Sequence, residues 1–242
     1  MQVRLDKWLS NQGYGSRREV NLLIRSGRVR VDGQVVTVPK TKVLTSACVQ
    51  LDTQDIPYRE YVYFLLHKPA GVLSATRDKR ETVLDLLRPE DRVRPIFPAG
   101  RLDRDTTGLV LLTDDGPLAH AILSPRHHIE KEYFATLDGP VDTALVERFR
   151  EGILLEPEHI VTRPAQLSVL EDGRCRVVIT EGKYHQIKRM FAAGGRNVLA
   201  LHRHRVGPLV LEESLREGMY RPLTQKEVEA LQDAAGQSPA GD

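Results

Sequence analysis

The chain has 242 residues, of which 40% are hydrophobic and 28% charged, with a formal net charge of +2. That content suits a core burying roughly 70–75% of the unfolded surface. No run of about 18 apolar residues offers a transmembrane helix, and the N-terminus MQVRLDKWLS lacks the apolar stretch of a signal peptide, so export is not expected. The two cysteines, Cys48 and Cys175, stand far apart without a partner motif, as expected of small apolar residues in a reducing cytoplasm.

Charge is unevenly spread. Residues 1–58 hold nine Lys or Arg against five Asp or Glu, a local charge of +4, and the remainder carries −2. Such asymmetry points to a polyanion partner for the basic part, or to no more than a solvated basic face. In chain order, Arg4–Asn11 reads as a short amphipathic helix, with Leu5, Trp8 and Leu9 on one side. A second helix starts at Ser16, three residues before Glu19, in the pattern of a capping box. It presents Val20, Leu23 and Ile24 and stops at Gly27. Arg18 and Arg25 lie seven apart on one face, and Arg28–Val36 alternates about an Asp32-Gly33 turn, a hairpin signal.

The stretch RLDKWLSNQGYGSRREVNLLIRSGRVRVDGQVV resembles the S4 RNA-binding domain. The resemblance implies that Arg17, Arg18, Arg25, Arg28 and Arg30 contact RNA backbone, with binding that weakens steeply in salt. Residues 1–58 are expected to form this domain, and residues 52–60, polar and containing a proline, to be a linker.

Beyond it, strands and short helices mix without the regular rhythm of a dinucleotide fold, and no internal repeat is visible. Strands are expected at Tyr61–His67, Gly108–Thr113, Lys131–Leu137 and Cys175–Thr180. A helix opens near Pro117, and another runs over Thr143–Glu151 with Asp142 as cap and Gly152 as stop. Gly194-Gly195 reads as a helix stop. The catalytic part is expected over residues 59–233, and residues 234–242 (AAGQSPAGD) are expected to be a disordered tail.

The string PAGRLDRDTTGLVLLTDDG places Asp103 and Asp105 in a turn before a buried strand. The residues alone leave three readings: oxygen ligands for a divalent metal, an acid–base pair of the glycosidase kind, or structural acceptors for Arg101 and Arg104. His127-His128 and His202-x-His204 invite a metal reading too, but no third ligand stands at suitable spacing and the surroundings are basic. No phosphate loop of the G-x-x-x-x-G-K-[ST] form occurs. Aromatic content of 5% offers little for sugar platforms, against a carbohydrate-active enzyme.

GRLDRDTTGLVLLTDDG (100–116) looks like the signature motif of the pseudouridine synthases. In order around it come YFLLHKPAGVLSAT (63–76), SPRHHIEKEYFATL (124–137), EGKYHQIKRMF (181–191), LHRHRVGPLVL (201–211) and MYRPLT (219–224), all similar to motifs of that family. Together with the S4 stretch they cover nearly the whole chain. The strings SPRHHIEK and KYHQIKRMFAA are similar to the S4-bearing branch that modifies small-subunit (16S) ribosomal RNA. The resemblance implies an α+β fold: a small N-terminal S4 domain plus a catalytic domain on a mixed, mainly antiparallel sheet flanked by helices.

It also implies an enzyme that breaks the N1–C1′ bond of a flipped-out uridine, turns the uracil and rejoins it through C5. Nothing is added or oxidised, so no cofactor and no metal is expected. Asp103 matches the catalytic carboxylate, Lys188 its basic partner with Arg189 as fallback, and Tyr133 the tyrosine that stacks the uracil and exchanges a proton at C5. Arg101 and Arg104 are expected to orient the site or the RNA phosphates, with Arg189 also at the RNA. Asp105 is expected to serve as a turn acceptor, and Thr106, Thr107 and Gly108 to shape the turn. The expected partner is 16S ribosomal RNA or an assembling small-subunit ribonucleoprotein, and the chain is expected to be a cytoplasmic monomer with no membrane contact. Alternatives are action on 23S ribosomal RNA, or a non-catalytic S4 protein of ribosome assembly.

Overall fold

The structure is a computed structural model that describes residues 1–236. Its contacts divide into two compact units, residues 1–62 with 87–95, and residues 63–86 with those from 96 onward.

In the first unit, β1 (Gln2–Arg4) runs straight into α1 (Leu5–Asn11). Then α2 (Arg17–Arg25) opens on a complete capping box: Ser16 Oγ accepts from the Glu19 amide, and the Glu19 carboxylate accepts from the Ser16 amide. Gly27 leaves the helix at φ +75, a conformation that costs a glycine little. β2 (Val29–Val31) turns into β3 (Gln34–Val35) through Asp32 and Gly33, both at positive φ, as a two-residue hairpin demands. β4 (Lys42–Leu44) pairs with β1, while β5 (Val49–Leu51) and β6 (Gln54–Asp55) complete a sheet of order β3-β2-β5-β6. The core gathers Leu5, Trp8, Leu9, Val20, Ile24 and Ile56, and the Trp8 indole N–H donates to the Ile56 carbonyl at 3.1 Å.

Two expectations change here. The segment 52–60 begins as structure, because Asp52 at φ 55 turns β5 into β6 and Ile56 is buried. The polar segment Leu87–Pro95 returns to this unit, where Arg94 donates to the backbone carbonyls of Arg59 and Glu60.

The second unit is built from β7 (Tyr63–Lys68), β8 (Phe97–Pro98), β9 (Thr107–Thr113), α3 (Gly116–Leu123), β10 (Lys131–Leu137), α4 (Thr143–Glu151), β11 (Leu154–Leu155), β12 (Ile160–Val161), β13 (Gln166–Val169), β14 (Cys175–Ile179), α5 (Gln186–Ala193), β15 (Val198–Val206), β16 (Leu209–Val210), β17 (Tyr220–Pro222) and α6 (Gln225–Ala234). The central sheet has the order β13-β14-β10-β15-β9-β7-β17, with β8 beside β9 and β16 beside β15. Every pairing in it is antiparallel except β15 with β9, so the sheet is mixed and mainly antiparallel, within an α+β fold. Leu118 and Ile122 of α3 and Leu231 of α6 pack on Leu65, Leu109 and Leu111 of the sheet. The rings of Phe149 in α4 and Phe191 in α5 meet at 4.9 Å. Among the described residues no helix is long and apolar enough to cross a membrane.

Ala234 closes α6 and Ala235 is fully buried, so the polar stretch expected as a tail begins with structure; its residues 237–242 lie outside the described residues. A clamp fastens α6 to the sheet edge. Glu227 accepts two bonds from the Arg221 guanidinium, at 2.7 and 2.9 Å, and closes a capping box with Thr224. Those bonds outweigh burial and hold the Glu227 carboxyl down to about 2, from an ordinary 4.5. A depressed carboxylate stabilises the fold above its unfolded pKa and loses that contribution as pH falls through the folded one. Glu227→Gln should therefore cost about 1–2 kcal/mol at pH 7 in urea unfolding. The gap to the parent chain should close as pH is lowered from about 4.5 towards 2; a gap constant with pH would refute the clamp's electrostatic share.

Candidate active site

The apolar strand β7 ends in Lys68, whose side chain is fully buried. Burial pushes its ammonium down to about 8. The group is kept polar company by three backbone carbonyls, those of Pro69, Arg104 and Thr106, at 2.9, 3.2 and 2.8 Å. Two of these belong to the loop between β8 and β9, so Lys68 fixes that loop from beneath. Ser74 Oγ accepts from the Leu102 amide at 3.0 Å, and the Gly71 amide donates to the Arg104 carbonyl at 2.7 Å. At the loop's exit Gly108 has φ +110, and a Cβ there would lie 2.3 Å from the Arg203 carbonyl oxygen. Glycine is what allows β9 to run beside β15 at this point.

Asp103 stands on this held loop, and α5 faces it. Lys188 Nζ lies 3.1 Å from Asp103 Oδ2 and 2.6 Å from Asp105 Oδ1. His185 Nε2 lies 3.2 Å from Asp103 Oδ1. Burial works against the Lys188 ammonium, but its bonds to Asp105 and Asp103 outweigh it and raise its pKa. The Lys188 contact likewise lowers the Asp105 pKa. Asp103, His185 and Lys188 line one open cleft of about 700 Å³, walled on the sheet side by Lys131, Tyr133, Leu201 and Arg203. Lys131 and Tyr133 project together because strand residues two apart share a face. Both are buried, and burial brings the Lys131 ammonium down to about 8. The result is a carboxylate held by Lys188 and His185 in a cleft that an aromatic ring also lines.

The RNA pseudouridylate synthase family matches residues 62–193, and the S4 domain matches residues 3–47. The ribosomal small subunit pseudouridine synthase A of Yersinia pestis is 43% identical over 232 residues, covering 95% of this chain and 98% of its own. The chain belongs to the RNA pseudouridylate synthase family. The protein of the same description from Escherichia coli K12 is 42% identical over 230 residues, covering 95% of this chain and all of its own. A crystal structure of a pseudouridylate synthase is similar with a TM-score of 0.67 and 41% identity, over 95% of this chain and 99% of that one. The reaction is thus the isomerisation of uridine to pseudouridine in RNA.

In this pseudouridylate synthase, Asp103, Tyr133, Lys188, Arg101 and Arg104 all line the cleft. Arg104 gives its Nε to the Gly71 carbonyl at 2.9 Å and so braces the loop. Arg189 does not join them. It donates to the carbonyls of Tyr184 and Glu156 and pairs with the Glu158 carboxylate, so its guanidinium is engaged away from Asp103. The Asp105 carboxylate shares Lys188 with Asp103. Among the N-terminal arginines, Arg17, Arg18 and Arg25 are exposed and without an ion-pair partner among the described residues. Arg28 is engaged by both Asp52 oxygens and Arg30 by the Gly33 carbonyl. His202 bonds Thr107 Oγ1 at 2.9 Å, and His204 packs on Phe134.

Sequence reasoning passed over Lys68, Lys131, Arg203 and His185 as individual groups. Only Lys131 left a local signal, two residues before Tyr133 on the same strand. Replacing Lys68 by Met would take its bond from the Pro69 and Thr106 carbonyls, and from the Arg104 carbonyl that keeps the Gly71 amide, and should cost about 2–4 kcal/mol in urea unfolding. Turnover should fall with it at temperatures where the chain stays folded. Unchanged stability would mean that Lys68 does not hold the loop.

Proposed function

We propose that this enzyme converts one uridine of small-subunit 16S ribosomal RNA to pseudouridine, with Asp103 as the reacting carboxylate. The observation that carries the reading is the meeting of Asp103, Lys188 and Tyr133 in one cleft. The small-subunit target is supported by relatives at 42–43% identity that are named for that substrate.

The chemistry asks for each part. The N1–C1′ bond breaks, the uracil turns within the cleft, and C5 bonds to C1′ while the C5 proton leaves. Asp103 acts at the sugar, by attack or by taking a proton, and must be ionised for either. Lys188, 3.1 Å from its Oδ2, puts a positive charge beside it and fixes its geometry. Tyr133, which lines the same cleft, is the ring on which the freed uracil stacks in this reading, an interaction worth about 1–3 kcal/mol per base, against a few kcal/mol for flipping the nucleotide out. Its hydroxyl serves the proton exchange at C5. Arg101 and Arg104 meet the phosphates at the cleft edge. Arg17, Arg18 and Arg25 bind RNA backbone, Arg28 and Arg30 adding to them only by releasing their present partners. The substrate, whether bare 16S RNA or an assembling particle, sets the cytoplasm as the place of work.

Pseudouridines mapped across 16S and 23S RNA, in cells without the protein, should show one 16S uridine unmodified. Asp103→Asn should fail to restore it, with in vitro turnover at least about 100-fold lower and RNA binding retained. A site lost from 23S RNA would move the substrate; full turnover by Asp103→Asn would remove its role. Replacing Arg17, Arg18 and Arg25 together by Ala should lower the slope of log affinity against log salt by about 2 to 3. An unchanged slope would take these arginines out of the binding surface.

A further inference from the structure

Tyr184 is the one aromatic residue among those described whose side chain is exposed, at 73%. It stands at the cleft, directly before α5. One face of its ring is covered: it stacks on the His185 imidazole with centroids 3.8 Å apart and planes 20° from parallel. The stack is anchored at its inner end, because His185 Nε2 reaches Asp103 Oδ1 at 3.2 Å. His185 holds a left-handed backbone, φ 47 and ψ 33, at the N-cap of α5, yet its side chain caps nothing there. Such a conformation costs a non-glycine residue about 1–3 kcal/mol and tends to be kept where it serves a site. The backbone is fastened on both sides of Tyr184. Its carbonyl accepts from Arg189 at 3.2 Å, and the Lys183 amide donates to Gln186 Oε1 at 2.9 Å. An aromatic ring is thus half stacked, between hydrogen-bonded backbone groups, and largely exposed.

We infer that Tyr184 is a platform for a nucleobase adjacent to the target uridine, the outermost layer of a stack running base, Tyr184, His185, Asp103. The inference rests on the reading of Asp103 as the reacting group on RNA. Extruding the target takes a stacking partner from its neighbour, and a free aromatic face is what that neighbour lacks. Stacking needs no base-specific edge contacts, so the platform sets position rather than sequence. Because the inner end of the stack touches Asp103, a base seated outside it would place its strand at a fixed offset from the carboxylate. Tyr184 is therefore a positioning residue, acting on substrate placement and not on bond breaking.

The test uses the full chain as parent, Tyr184→Ala and Tyr184→Phe, on a small-subunit RNA transcript that the parent converts. Companion transcripts carry an abasic site one nucleotide before or after the target. Tyr184→Ala should raise the half-saturating RNA concentration about 5- to 100-fold on intact RNA. At saturation it should change turnover less than about three-fold, and Tyr184→Phe should stay within about two-fold of the parent on both measures. On one of the two abasic transcripts the parent should bind as weakly as Tyr184→Ala, leaving no further penalty for the substitution. Equal affinity of Tyr184→Ala and parent for intact RNA would overturn the inference. So would an undiminished penalty on both abasic transcripts, which would assign the ring to a protein partner or to the fold. A parent chain that converts no uridine would remove the underlying reading, and this inference with it.

Discussion

One ammonium group, Lys188 Nζ, stands between two carboxylates of a single loop, 3.1 Å from Asp103 and 2.6 Å from Asp105. It joins helix α5 to the loop before β9 across a sequence separation of 83 residues. Asp103 is half-buried and Asp105 exposed, and two like charges two residues apart repel each other less when a cation lies between them. Lys188 supplies it, and the loop's shape follows. Asp103 turns into the cleft, where His185 meets its other oxygen, and Asp105 remains outside.

The rest of the catalytic unit arranges itself around that contact. Lys68 secures the loop from below with three carbonyl bonds. Gly108 lets β9 and β15 run close and parallel, which brings Arg203 to the cleft wall. β10 lies on the other side of β15 and turns Lys131 and Tyr133 to the same wall. Lys131, Lys188 and Arg203, buried or half-buried, therefore line the same cleft as Asp103. That surplus of positive charge suits a polyanionic substrate, whose phosphates bring the compensating charge with them.

Much of this was legible locally. The capping box at Ser16 and Glu19, the Asp32-Gly33 turn, the Asp142-to-Gly152 helix and the strand at Lys131–Leu137 each rest on neighbours within a few residues, and pattern reading reaches that far. The ordered motifs also brought Asp103, Tyr133 and Lys188 to attention together. What escaped was decided by distant partners. Nothing near Arg189 announces Glu158, nor near Arg28 Asp52. Lys68 ends an apolar strand, and only the folded loop above it reveals three carbonyls in wait. The return of Leu87–Pro95 to the first unit is invisible in a polar segment with no periodicity. His185 sat inside a quoted motif, but its contact with Asp103 depends on a left-handed residue that composition does not foretell.

The central claim is that Asp103 and Lys188 work as one unit. A double-mutant cycle in single-turnover conversion of the RNA addresses it, using Asp103→Asn, Lys188→Met and the pair combined. Each single change should slow conversion by at least about 100-fold, and the combined variant should be no slower than Asp103→Asn alone, since the cation has nothing to act on once the carboxylate is gone. Losses that multiply in the combined variant would mean that carboxylate and cation contribute independently, which contradicts their acting as a unit.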